Sequence, residues 1–184
     1  FRADILGGHY WSDIVTVSGG GVNSASVAAG GGLFNVTLAK APGLPLSGIK
    51  VYLFSQSGSY LGLSGVTDAD GVLGFHVPEG TFKVRADYLG YKFWSEETQV
   101  MADSDTLLLI PHQPVEITVG GVFQGASEPI VGIEAYLFST AGSYMGQYQL
   151  TDVGGKVAFD LPGKAYKIRA DYMGQKFWSD AFTW

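Results

Sequence analysis

The chain repeats itself at a fixed spacing of 84 residues, and any fold proposed for it must be one that can be built twice. Val51-Tyr52-Leu53-Phe54-Ser55 returns as Ala135-Tyr136-Leu137-Phe138-Ser139, and Gly58-Ser59-Tyr60-Leu61-Gly62 as Gly142-Ser143-Tyr144-Met145-Gly146. Arg85-Ala86-Asp87-Tyr88-Leu89-Gly90 returns as Arg169-Ala170-Asp171-Tyr172-Met173-Gly174, and Lys92-Phe93-Trp94-Ser95 as Lys176-Phe177-Trp178-Ser179, at the same offset and with no gap. A third, partial copy opens the chain: Arg2-Ala3-Asp4-Ile5-Leu6-Gly7 and Tyr10-Trp11-Ser12 stand 83 residues before their counterparts. About half of the positions between 45 and 95 are identical to their partners.

Within each copy the apolar residues alternate. Phe34, Val36 and Leu38 are separated by Asn35 and Thr37, and the cognate Val115, Ile117 and Val119 by Glu116 and Thr118. The same alternation holds for Ile49, Val51, Leu53 and for Leu73, Phe75, Val77, each with its partner set. It also holds for Phe82, Val84, Ala86, Tyr88 and for Tyr166, Ile168, Ala170, Tyr172. A period of two is the mark of a strand with one buried face. Turn residues separate these runs, among them Asp70-Gly71 or Gly154-Gly155 and Pro78-Glu79-Gly80 or Pro162-Gly163. No stretch keeps a helical period. The expected architecture is all-β, as tandem immunoglobulin-like or transthyretin-like antiparallel β-sandwich domains.

The expected domains are a partial repeat with a Gly-rich linker over 1–33, a full sandwich over 34–113, and a sandwich over 114–184 that lacks its last strand. Residues 17–33 are mostly Gly, Ser, Ala and Val, with glycine triplets at 19–21 and 30–32. Their composition fits a linker. Their place in the repeat is that of the apolar run Asp105 to Ile110, so Val22 to Ala29 is expected as a poorly specified strand. Glycine, at 27 of 184 residues, falls largely at matching turns.

Composition limits the function classes. The net charge is −6 with only 11 Lys and Arg, which disfavours nucleic acid as a partner. No apolar run reaches the roughly 18 residues of a membrane span, so no membrane insertion is expected. With no cysteine there is no disulfide, thiolate metal site or Cys nucleophile. The start, Phe1-Arg2-Ala3-Asp4, lacks the layout of a signal peptide. His9, His76 and His112 show no metal-ligand spacing and are expected at the surface. Asp68-Ala69-Asp70-Gly71 does not complete a calcium loop, and its partner Asp152-Val153-Gly154-Gly155 has lost the second acid, so a turn is expected. No nucleophile elbow or phosphate loop occurs, and neither catalytic residue nor cofactor or metal is assigned. Asn35-Val36-Thr37 satisfies the N-glycosylation sequon.

The outward parity carries the candidate surface. Tyr52 with Phe54 and Tyr136 with Phe138 are expected opposite the aliphatic core, and Trp94 and Trp178 recur at one position. These six form the expected interaction surface, the Tyr and Phe pairs as a domain or subunit contact, a sugar platform or a patch covered by a neighbouring loop, and the tryptophans as caps of the sandwich edge or as binding anchors. Lys83, Arg85 and Asp87 and their partners share that side, where an Arg–Asp pair reads as solubility.

The runs Gly48-Ile49-Lys50-Val51-Tyr52-Leu53-Phe54, Thr67-Asp68-Ala69-Asp70-Gly71 and Val77-Pro78-Glu79-Gly80-Thr81-Phe82-Lys83-Val84 resemble the carboxypeptidase regulatory-like and collagen-adhesin B-type family. The resemblance implies transthyretin-like sandwiches strung in tandem in large bacterial surface proteins. It implies an extracellular or cell-surface spacer, stalk, adhesin or filament, and no site is carried over from it. The Lys to Asn/Asp cross-link of some such domains is not expected. Lys40 lies near the first strand of one unit, Gly120 to Gln124 offers no Lys in the other, and Thr106 to Ile110 supplies no Asn. Expected partners are other copies or neighbouring repeats, with a surface glycan as the alternative that would make the chain a carbohydrate-binding module. Phe182-Thr183-Trp184 aligns with Thr98-Gln99-Val100, so the last unit stops before the counterpart of Leu107 to Ile110. The chain is then a window on a longer array, or a subunit completed by residues 1–33 of another copy.

Overall fold

The computed structural model describes all residues from Phe1 to Trp184, and the chain divides into two compact units, Phe1–Ile110 and Pro111–Trp184. The first unit contains β1 (Arg2–Ile5), β2 (Gly8–Trp11), β3 (Gly32–Ala41), β4 (Leu44–Pro45), β5 (Lys50–Ser55), β6 (Tyr60–Val66), β7 (Val72–Val77), β8 (Gly80–Tyr88), β9 (Tyr91–Trp94), β10 (Thr98–Val100) and β11 (Ser104–Leu109). One sheet runs β10-β8-β5-β6 with β9 also on β8; the other runs β11-β3-β4 with β7 also on β3. Phe34, Val36 and Leu38 from one sheet and Val51, Leu53, Val84 and Ala86 from the other are all fully buried. The alternating runs therefore face one another across a sandwich core.

The closing strand differs in direction from its neighbours. β11 lies parallel to β3, from Ser104 beside Phe34 to Leu109 beside Ala39, whereas every other pairing in the unit is antiparallel. A parallel pair needs a long crossover, and here the body of the sandwich supplies it. Leu108 and Ile110, 6% and 1% exposed, enter the same core as Val36, Leu38, Val84 and Ala86.

The second unit contains β12 (His112–Thr118), β13 (Gly120–Phe123), β14 (Ala126–Pro129), β15 (Glu134–Ser139), β16 (Tyr144–Leu150), β17 (Lys156–Pro162), β18 (Tyr166–Tyr172) and β19 (Gln175–Trp178). Its sheet β16-β15-β18-β19 reproduces β6-β5-β8-β9, while β12 pairs with β17 alone and β13 with β14 alone. The counterpart of β10 is reduced to one bridge, Phe182 with Tyr166, which repeats the Thr98 and Phe82 pair. No strand occupies the place of β11. As a result Ile117, Val119 and Ile133, expected as core, are only half-buried, although Val157, Phe159, Leu161, Ile168 and Ala170 are buried.

Val22 to Ala29 forms no strand, contrary to expectation. The Asn23 side chain bonds the Ser18 amide and carbonyl instead, at 3.1 Å each, and such local bonds compete with a ladder. With β11 already on β3, that edge of its own unit is taken.

Two details fix the hairpins and bends. Gly71 has φ +74°, and a Cβ there would stand 2.4 Å from the Leu38 carbonyl oxygen; Gly155 repeats this against Val119. Thr67 is buried; its hydroxyl donates to the Leu46 carbonyl at 2.7 Å and accepts from the Ile49 amide at 3.0 Å. Thr151 does the same between Ile130 and Ile133. Thr67→Val keeps the shape but leaves a buried amide and carbonyl without partners. It is expected to lower stability by about 2 kcal/mol, whereas Thr67→Ser stays close to the parent, as read from denaturant midpoints.

Candidate interaction surface

Because successive side chains of a strand point to opposite faces, the residues between the core positions of β5, β8 and β9 meet on the outside of the sheet. Register does the rest. Tyr52 stands opposite Arg85, Phe54 opposite both Lys83 and Tyr60, and Arg85 opposite Trp94. Arg85 is the centre of this group: its guanidinium carbon lies 4.7 Å from the Tyr52 ring centroid, 5.2 Å from Phe54 and 5.8 Å from Trp94. Asp87 holds it by two parallel bonds, at 2.7 Å from Nε and 3.0 Å from Nη2. Trp94 meets Phe54 edge-on at 4.6 Å, and Tyr60 touches both Tyr52 and Phe54.

The second unit repeats the arrangement closely. Arg169 lies 4.7 Å from Tyr136, 5.0 Å from Phe138 and 5.9 Å from Trp178, with Asp171 at 2.8 and 2.9 Å. The Arg85 and Arg169 side chains are 17% and 18% exposed. In the opening hairpin, Arg2 keeps its Asp4 and its Trp11 at 5.9 Å but has no Tyr-x-Phe strand beside it, and its exposure rises to 46%.

The Arg–Asp pairs are thus not simple solubility pairs. A flat, weakly hydrated guanidinium loses little when rings replace water on its faces, and the bidentate carboxylate keeps its N–H groups satisfied. Phe54 and Phe138 are covered, at 7% exposed, by their own sheet's side chains and not by a loop. What faces outward is the rim: Tyr60, Trp94, Tyr144 and Trp178, each about half exposed, with Tyr52 and Tyr136 partly so. Spacing alone marks the six rings and sets Arg85 on their side, but it does not mark the contact between them, nor Tyr60 and Tyr144 as part of the surface. The available signal was two outward motifs, Tyr-x-Phe and Arg-x-Asp, repeated together at one spacing.

The two units differ at this rim. Lys50 over Tyr52 is replaced by Glu134, which accepts the Tyr136 hydroxyl, and Ser64 is replaced by Tyr148, whose ring lies 5.6 Å from Tyr136. The carboxylate partner, foremost, pushes the Tyr136 pKa up to about 12. On the other edge Lys83 and Gln56 bond Glu97 and lower its pKa, the Lys83 bond contributing most.

The remaining candidates are accounted for locally. The Asp68 carboxylate accepts from the Asp70 and Val72 amides, and Asp152 from Gly154 and Lys156, so both acids close turns. No group of three or more His, Cys, Asp or Glu is placed to hold a metal. Asn35 bonds Asp105 across the β3–β11 pair. His76 is exposed, and exposed His9 pairs with Asp4 at 2.7 Å. His112 departs from expectation: its side chain is 2% exposed and its Nδ1 lies 3.3 Å from Asp160, because the start of β12 is pressed against the end of β17.

Comparison with known proteins gives structural likenesses only. No family model matches the chain, and no curated protein matches it. The minor pilin of Streptococcus agalactiae matches over 82% of this chain and 90% of its own, with 13% identity and a TM-score of 0.44. A streptococcal ancillary pilin matches over 94% and 71%, with 13% identity and a TM-score of 0.40. The Bacillus anthracis TIE protein matches over 84% of this chain, with 17% identity and a TM-score of 0.38; the chain spans 32% of it.

Two outcomes test the surface. Arg85→Lys removes the stacked plane and is expected to cost about 1 kcal/mol in unfolding free energy, while Arg2→Lys changes it by under about 0.5 kcal/mol. In an ultraviolet phenolate titration, one tyrosine is expected to ionise near 12, and Glu134→Gln should bring it back toward the ordinary 10.0.

Proposed function

We propose that the chain is a non-enzymatic structural segment of an extracellular, cell-surface stalk, adhesin or filament, in which each sandwich adds length and one more copy of the same outer face. The observation that carries this reading is the recurrence of one strand frame and one Arg–Asp–aromatic face. The face is complete in both units and begun a third time by β1 and β2. Selection for a catalytic centre acts on one place in a molecule, whereas a repeated surface with no chemical cluster suits serial connection. The tandem surface domains that its motifs resemble point the same way. Partners under this reading are further copies or neighbouring repeats, joined head to tail by β-strand complementation.

Tyr148 supports a second reading, a carbohydrate-binding module, because it widens the exposed ring surface of the second unit. Retention on a polysaccharide column that is lost in folded Trp94→Ala or Trp178→Ala would favour it. For the first reading, antibodies raised against residues 1–184 are expected to label intact producing cells, along projections visible by electron microscopy. Labelling that appears only after permeabilisation would overturn it.

A further inference from the structure

The sandwich of the first unit is entered and left through two strands that lie side by side and run the same way. The chain enters it along β3, which begins at Gly32, and leaves it along β11, which ends at Leu109; Ser104 lies beside Phe34 and Leu109 beside Ala39. In an antiparallel pair the entrance and the exit would share one end, whereas this parallel pair puts them at opposite ends of one ladder. Tension on the chain from both sides therefore pulls β3 back toward its start and β11 on toward its end. The hydrogen bonds between them lie across that pull and are loaded together. Strands pulled apart from one end break the same bonds one at a time.

Both ends of this ladder are fastened. At the entrance the Leu33 amide donates to the Asp103 carboxylate at 2.8 Å, and the Asn35 side chain donates to Asp105 at 3.1 Å. Gly32 permits the approach, since a Cβ there would stand 2.6 Å from the Asp103 amide nitrogen. At the exit the Ile110 amide donates to the Ala39 carbonyl at 2.9 Å. Alternate amides of a strand point the same way, so those of Leu108 and Thr106 also face β3. Sliding is resisted from the sides as well. Leu108 and Ile110 are buried in the core, the Thr98 hydroxyl bonds that of Thr106 at 3.1 Å, and β7 pairs with the far edge of β3 from Gly32 to Thr37.

We propose that the first unit is a load-bearing element, in which the β3–β11 ladder is a clamp that keeps the sandwich closed under tension along the chain. The proposal rests on the stalk or filament reading above and adds what a sandwich does there. Units joined in series each carry the whole tension. The chain has no cysteine, so no disulfide shares that load, and it falls on the ladder and on the side chains that fasten it. When the clamp yields, the stretch 32–110 is released in one event. At about 3.3 to 3.6 Å per extended residue this adds roughly 25 nm of length.

The test is single-molecule force spectroscopy on the full 184-residue chain, in which two introduced cysteines are the only thiols and so the only attachment points. Ser26→Cys with Pro111→Cys places exposed handles beyond the two ends of the ladder and loads it lengthwise. Pro42→Cys with Pro111→Cys places both at the exit end and peels β11 away. At one pulling speed, lengthwise rupture is expected at roughly threefold the peeling force or more, in a single step of roughly 25 nm. Thr106→Pro removes one ladder N–H and should lower the lengthwise force by about half. Asp103→Ala with Asp105→Ala unfastens only the entrance, so it should lower the lengthwise force and leave the onset of peeling unchanged; a change that merely destabilised the fold would lower both. Either alteration decides the matter if the other does not fold. Equal forces in the two directions overturn the clamp, and a lengthwise force indifferent to both alterations overturns the ladder as its seat. Failure of surface labelling with directional resistance intact would instead remove the stalk or filament reading.

Discussion

The ladder between β3 and β11 is the contact on which the rest of the first unit depends. β3 is central only because β11 covers its far edge, and that cover carries Leu108 and Ile110 into the core beside Val36 and Leu38. The second unit has nearly the same inner residues and lacks that one strand. Its first strand becomes an edge, and Ile117 and Val119 stay half-wet though their alternation is as regular as in the first copy. Burial here belongs to the sheet, not to the strand's own sequence.

The outer face obeys a second constraint, the placement of a charge that is neither fully solvated nor isolated. Arg85 and Arg169 are held by a carboxylate from their own strand and covered by rings from two neighbours, so three strands are tied by one side chain. Arg2 shows the same parts without a counterpart of β5 beside it. Its higher exposure measures what Tyr-x-Phe contributes.

Much of the fold was legible in the sequence because period-two alternation and Gly turns are local signals. Val51, Leu53, Val84 and Ala86 could be placed inside from spacing alone, and the Asp68 and Asp152 turns from residue type. What stayed hidden depends on which strands become neighbours. The parallel direction of β11, the stacking of Arg85 between Tyr52 and Trp94, and the burial of His112 against β17 all follow from cross-strand register. Val22 to Ala29 failed as a strand for a related reason: a weak strand needs a vacant edge, and the β3 edge of its own unit is held by β11. Of the expected surface, Trp94 and Trp178 face solvent, whereas Phe54 and Phe138 lie beneath their neighbours.

Ser95 ends β9 by donating its amide to the Val84 carbonyl while its hydroxyl accepts the Val84 amide, so that β9 and β10 divide one edge of β8 between them; Ser179 repeats this on Ile168. At the other side of the same sheets, the register slips within the β5–β6 and β15–β16 pairs, beside Gly62 and Gly146 with φ of +80° and +76°. A spliced edge and a bulged edge are both poor templates for an incoming chain. Sandwiches made in long, locally concentrated arrays run a constant risk of sticking side by side. Blunting these margins in both units leaves neither of them as a straight template on which a neighbouring sandwich could add its own strand.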